Sequence, residues 1–180
     1  MSQRGSGYDR KERDLYETPE WVTEVICMYA GMTAGGPIWE PACGSGKMAR
    51  VLAQYYDVIG TDIDRGDDFL AATNPPNRCT RIITNPPYEL ATKFIEKALD
   101  LTRSSEGLVA MLLRTDFDHA RSRQSLFREC PAFAKKVVLT KRIVWFEPET
   151  GQKGKSPSFN HAWFIWDWTN TKAPTIGYEP

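Results

Sequence analysis

The sequence has no apolar run near the roughly 18 residues needed to cross a bilayer. It also carries no net charge, since 23 Lys and Arg balance 23 Asp and Glu. A chain this neutral is not a uniformly basic binder of the nucleic-acid backbone. Cysteine is sparse. Cys27, Cys43, Cys79 and Cys130 form no C-x-x-C pair, and none stands at ligand spacing from the two histidines, His119 and His161. That speaks against a zinc site or a disulfide framework and fits a reducing cytoplasm. Residues 1–13 lack the apolar core of a secretion signal, so export is not expected and the segment reads as a flexible arm. No internal repeat is present.

What is there is ordinary globular material. The chain has 180 residues, of which 41% are hydrophobic and 26% charged. That is enough for one domain with its own core. The charge is unevenly spread. Residues 114–155 hold ten Lys and Arg against five Asp and Glu, and the remainder holds 13 against 18. A basic face can therefore oppose an acidic body.

Strand and helix signals alternate along most of the chain. Thr18-Pro19 reads as an N-cap followed by proline at the first helical position. Val22, Val25, Ile26 and Tyr29 then share one helical face, and Gly31 suits the exit. Ile38-Trp39 is a short buried strand, and Met48, Val51 and Leu52 mark the next helix. Val58-Ile59-Gly60 is a second strand, and Phe69-Leu70 marks a short third strand or its end. Residues 81–84 form a fourth, followed by a helix with Leu90, Phe94, Ala98 and Leu101 on its apolar face. Residues 107–113 read as a fully buried strand, 118–128 as a helix and Val137-Val138-Leu139 as another strand. In the final strand, 159–168, Ala162, Phe164 and Trp166 alternate against Trp163 and Ile165. The pattern predicts an α/β domain over 14–168: a mostly parallel sheet covered by helices on both faces. The last two strands, with only residues 147–158 between them, read as an antiparallel pair, and 169–180 as a loose tail.

Two segments carry chemistry. Glu40-Pro41-Ala42-Cys43-Gly44-Ser45-Gly46 lies where a strand hands over to a helix, where glycines let the backbone approach a ligand. Downstream, Asp62 closes the second strand, where a carboxylate can accept from a ribose diol. The third glycine of a dinucleotide fingerprint is replaced by Met48-Ala49, which favours a smaller nucleoside-like cofactor over a pyrophosphate.

The other segment is Asn85-Pro86-Pro87-Tyr88, at the C-terminal end of a strand. A conjugated exocyclic amine is a poor nucleophile unless acceptors hold its N–H bonds. The Asn85 amide oxygen and the Pro86 carbonyl can do so. The prolines fix φ and remove competing donors, and Tyr88 offers a flat ring to stack a planar group. The sequence contains its own control. Asn74-Pro75-Pro76-Asn77 has no strand before it and no aromatic after it, and reads as a plain loop.

Together these segments resemble the class I S-adenosylmethionine-dependent amino-methyltransferases, and among them the small phage or prophage DNA adenine-N6 methyltransferases. Tyr16-Glu17-Thr18-Pro19 resembles the family's N-terminal cofactor motif. The resemblance implies a Rossmann-like seven-stranded sheet with an antiparallel last strand and S-adenosylmethionine as cofactor. Thr18, Glu40, Ala42 and Gly44 would line its methionine end, Asp62 its ribose, and Ile63 and Asp68 its adenine. Asn85 and Pro86 would hold the target amine, with Pro87 shaping the turn and Tyr88 stacking a base flipped from DNA. Larger relatives append a recognition domain. Here sequence choice would fall to residues 115–128 and 147–158, with Arg114, Arg121, Arg123, Lys153 and Lys155 on phosphates. Otherwise it would fall to a second copy or a separate specificity subunit. Rival readings are an amine in RNA, protein glutamine, or a non-catalytic nucleic-acid-binding subunit that keeps the fold. His119 and His161 read as surface or strand-edge residues.

Overall fold

The computed structural model describes residues 17–30, 36–145 and 159–179. The expected arm 1–13, Tyr16, the helix exit at Gly31 and the loop 147–158 with Lys153 and Lys155 lie outside them.

Helix α1 (Glu20–Ala30) is followed by β1 (Ile38–Glu40), α2 (Lys47–Leu52), β2 (Val58–Gly60), β3 (Arg81–Thr84), α3 (Ala91–Arg103) and β4 (Leu108–Arg114). Strands β5 (Phe133–Val138), β6 (His161–Asp167) and β7 (Thr175–Tyr178) complete the chain. The seven strands form one sheet in the order β2-β1-β3-β4-β6-β5-β7. All are parallel except β6, which runs against both β4 and β5. The expected antiparallel closing pair is therefore β5 and β6, and the reversed strand is followed by one more.

From β1 the chain steps outward to β2 on one side, and β3 lies on the other. The crevice above the C-terminal ends of β1 and β3 is thus the place where strand order reverses, the usual ligand position in open α/β sheets. Both chemical segments leave the sheet there.

Two apolar clusters fill the two faces. One joins α1 and α2 to Trp163 and Ile165, and the other joins α3 to Ala162, Phe164 and Trp166. The period-two alternation read in the last strand is therefore the partition of one strand between two cores. The two buried indoles of β6 each find an acceptor, as their polar N–H groups favour. Trp163 Nε1 donates to Val22 O at 2.9 Å and Trp166 Nε1 to Leu126 O at 2.6 Å.

Three expectations need correction. Phe69-Leu70 is a 3-10 turn, because Asp68 accepts from the Leu70 N–H at 2.9 Å and closes the chain locally. Residues 118–128 hold two 3-10 segments, Phe117–His119 and Arg121–Leu126, in place of a helix. The Asp118 carboxylate there is drawn to Lys136 Nζ at 2.9 Å. The expected loose tail contains β7, which pairs in parallel with β5 from Lys135↔Thr175 to Val138↔Tyr178.

Candidate functional site

The glycine loop turns on Gly44 and Gly46, at φ 50° and φ 83°. That region is open to glycine and costly to other residues. Several contacts fix the loop's shape. Asp62 Oδ2 accepts from the Gly44 N–H at 2.7 Å, and Arg65 Nη2 donates to Gly44 O at 2.9 Å. Arg50 Nη1 donates to Ser45 O at 3.0 Å. Below the loop, a Cβ on Gly60 would stand 3.2 Å from Cys43 Cβ, so the second strand carries no side chain where the loop packs on it. Burial pushes the Cys43 thiol pKa up, with Glu40 adding to it, so this cysteine packs as a neutral thiol.

Glu40 ends β1 at 2% exposure. Its carboxyl pKa rises from 4.5 to about 8. Burial is the main cause, the N–H of Ala49 in the first turn of α2 opposes it, and Asp62 adds to it. Among the described residues Oε2 has no hydrogen-bond partner. A buried acid with an unmet oxygen is a receptor for a cation or a donor.

Asp62 is engaged on both oxygens, since Oδ1 also accepts from the Asp64 N–H at 3.0 Å. It shapes the loop. A carboxylate has about four lone-pair directions, so a diol can still take the second one on each oxygen. Next to it Ile63 presents an apolar side chain at 62% exposure, and Asp68 is exposed at the head of its turn. Ala42 is half-buried on the loop.

Asn85 lies just past β3. Its Nδ2 donates to Thr18 Oγ1 at 3.3 Å. Thr18 is buried, and α1 opens instead on the carbonyl of Pro19, which accepts from Val22 N and Thr23 N. The expected cap hydroxyl is thus turned to Asn85. The preceding residue, Glu17, accepts from Ser45 Oγ at 2.6 Å and sits 3.8 Å from Lys47 Nζ. Two consecutive residues therefore tie the glycine loop to Asn85, and neighbouring Cα atoms stand only about 3.8 Å apart. Pro86 is buried, Pro87 half-buried, and Tyr88 opens a 3-10 turn leading into α3.

Tyr88 has a partner that spacing did not reveal. Its hydroxyl lies 2.9 Å from His161 Nε2, and the two rings are 6.0 Å apart at 30°. His161 is 3% exposed, not a surface residue. Burial lowers its pKa from 6.5 to about 4, Arg114 lowers it further, and Asp116 acts the other way. The contact spans 73 residues, so only the fold brings it together. Glu17 and Arg65 were likewise outside the expected site set: Glu17 lies in the motif Tyr16-Glu17-Thr18-Pro19 without a role of its own, and no local spacing marks Arg65.

Of the expected phosphate-binding arginines, Arg114 makes two hydrogen bonds to Asp116, at 3.1 and 2.8 Å, and lies over the Phe159 ring at 3.6 Å. Arg123 donates to Phe117 O at 2.8 Å and lies over the Phe117 ring. Arg121 is exposed. The control segment at Asn74, read as a plain loop, runs into a 3-10 turn at Pro76–Arg78, with Asn77 and Arg78 both at positive φ.

No family model and no curated protein matches the chain. Solved structures match it in fold. A protein from Listeria monocytogenes assigned to the class I S-adenosylmethionine-dependent methyltransferases superposes with TM-score 0.63 at 16% identity, over 90% of this chain and 65% of that one. A protein from Pyrococcus horikoshii assigned as an RNA methyltransferase gives 0.62 at 15% identity, over 89% and 91%. A modification subunit assigned to a type I restriction enzyme of Vibrio vulnificus gives 0.53 at 17% identity, over 91% and 46%. The chain thus spans less than two thirds of the Listeria and Vibrio proteins. Its fold is that of the class I S-adenosylmethionine-dependent methyltransferases: the seven-stranded Rossmann-like sheet with one reversed strand and helices on both faces.

Proposed function

We propose that the protein is an S-adenosylmethionine-dependent amino-methyltransferase acting on the N6 amine of adenine in DNA. One observation carries the reading: Glu17 and Thr18 join the loop at Ser45 to Asn85, so an amine-orienting amide stands beside a nucleoside-type crevice.

The residues fit the cofactor. Glu40 Oε2 would take its ammonium group, the loop backbone around Gly44 its methionine portion, Asp62 the ribose, and Ile63 with Asp68 the adenine. When bound, S-adenosylmethionine supplies an electrophilic methyl on a sulfonium. The protein's share is orientation. Thr18 Oγ1 accepts from the Asn85 Nδ2 at 3.3 Å, and the buried amide oxygen is the acceptor that would take one N–H of the target amine. The Pro86 carbonyl accepts the second N–H, and Tyr88 stacks the extruded base. Both acceptors are preset for the positive charge that grows on nitrogen during in-line transfer. Asn85 is not a base, so the extra proton leaves to solvent after the N–C bond forms.

The test is incubation of unmethylated DNA with the protein and labelled S-adenosylmethionine, digestion to nucleosides and mass identification. N6-methyldeoxyadenosine supports the reading. Label in cytosine, or label only when RNA or protein is offered, refutes the substrate class. Cofactor binding with no transfer to any acceptor identifies a non-catalytic subunit.

A further inference from the structure

We infer that His161 is a positioning residue that holds the ring of Tyr88 in the plane needed to receive the target base. The inference rests on reading Asn85-Pro86-Pro87-Tyr88 as the target-amine site.

Tyr88 stands just after β3, in a 3-10 turn. A tyrosine there can swing about χ1 and χ2, and each orientation must be frozen when a base stacks. The contact with His161 removes that freedom beforehand. The hydroxyl meets Nε2 at 2.9 Å, while the ring centroids are 6.0 Å apart. Face-to-face covering would bring two rings to a spacing near the van der Waals limit, roughly 3.5–4 Å. At the observed distance the imidazole grips the hydroxyl end and does not cover the ring face.

The anchor is itself rigid. His161 is the first residue of β6, paired across the ladder with Arg114 of β4, and the edge of Trp145 meets its ring at 5.3 Å and 86°. Around the imidazole stand Arg114 from β4, Asp116 from the turn after it, Tyr88 from the turn after β3, and Trp145 from the segment after β5. The orientation of Tyr88 is therefore set by the reversed strand, far along the chain from the tetrad.

The experiment uses Tyr88→Phe, which keeps the ring and drops the hydroxyl, with His161→Leu, His161→Gln and the double variant Tyr88→Phe/His161→Leu. The full-length protein is assayed on unmethylated duplex DNA of mixed sequence. One hydrogen bond of ordinary worth predicts that Tyr88→Phe and His161→Leu each lower kcat/KM for DNA by about three- to tenfold, with KM for S-adenosylmethionine unchanged. The double variant is no worse than the weaker single variant, because both changes remove the same contact. His161→Gln, whose amide nitrogen can reach the place of Nε2, recovers most of the loss. Nitrogen-15 spectra of the two histidines read the anchor without DNA: Tyr88→Phe moves the His161 ring signals and leaves those of His119 in place. Additive losses in the double variant, or unmoved His161 signals, overturn the positioning role alone. A wild type that transfers nothing to DNA defeats the reading of the site itself and the base-positioning role with it.

Discussion

Asn85 Nδ2 donates to Thr18 Oγ1 at 3.3 Å, across 67 residues of sequence. An amide presents a donor on one side and an acceptor on the other, and this contact engages the donor side. Asn85→Ala is expected to abolish methyl transfer and leave cofactor affinity nearly intact. Thr18→Val, which removes the hydroxyl that holds the amide, should lower kcat by roughly three- to tenfold, the worth of one hydrogen bond. Asn74→Ala, in the other Asn-Pro-Pro segment, should change neither. Transfer rates and cofactor Kd for the three variants check this.

Glu40 makes the ligand-free protein sensitive to pH. Its folded pKa of about 8 lies above the ordinary 4.5. Below the lower value both states hold the proton. Above it the unfolded chain releases the proton and the fold keeps it, so stability falls as pH rises through this window and levels off beyond the upper value. Glu40→Gln should flatten that slope, seen as Tm across the same window. A cofactor ammonium beside the carboxylate would pull the pKa down, so binding near neutral pH should release up to one proton. Calorimetry in buffers of different ionisation heat counts it, and a count of zero removes Glu40 from the proposed ammonium site.

Gly60→Ala tests how the second strand supports the loop. The new Cβ would stand 3.2 Å from Cys43 Cβ and 3.3 Å from its Sγ, closer than packing normally permits. Overpacking of this kind costs about 1–3 kcal/mol. Because Cys43 sits in the loop, cofactor affinity should weaken together with Tm. A lowered Tm with unchanged affinity would place the strain elsewhere.

Arg121 is an exposed arginine of the 115–128 segment, whereas Arg114 and Arg123 are held by Asp116 and Phe117 O. If it meets a DNA phosphate, Arg121→Ala should weaken DNA binding on all sequences and reduce the slope of log affinity against log salt by about 1. Lys136→Met should act differently. Lys136 Nζ pins this segment through Thr115 O at 2.7 Å and through Asp118. Its loss should weaken DNA binding with little change of slope. Filter binding across a salt series distinguishes the two.

Much of this was legible before the fold was known, for a physical reason. Residues 161–167 alternate because each face of β6 meets a different core, and period two survives translation into sequence. The tetrad at Asn85 stands apart from its twin at Asn74 because a buried strand precedes it, as the sequence pattern predicts. Other parts left no local trace. Strand β7 is four residues long and mostly exposed, Ile176 and Tyr178 included, so its brief alternation marks no buried face. Phe69-Leu70 has the apolar pair of a strand, yet the Asp68 carboxylate closes a turn first. Thr18 has the spacing of a helix cap, but its hydroxyl serves a residue 67 positions away. His161 carries its role only through a contact made when β6 inserts beside β4.

The last strand also bears on solubility. With β7 in place, β5 is an interior member of the sheet. Tyr29 Oη donates to the Tyr178 carbonyl, and Glu179 accepts from Thr140 and Lys141 to fasten the strand's end. Stripped of residues 169–179, β5 would become a bare border of amide and carbonyl groups, a template on which another molecule's strand could dock. A chain shortened there should be more prone to precipitate, because it trades a four-residue border for a six-residue one.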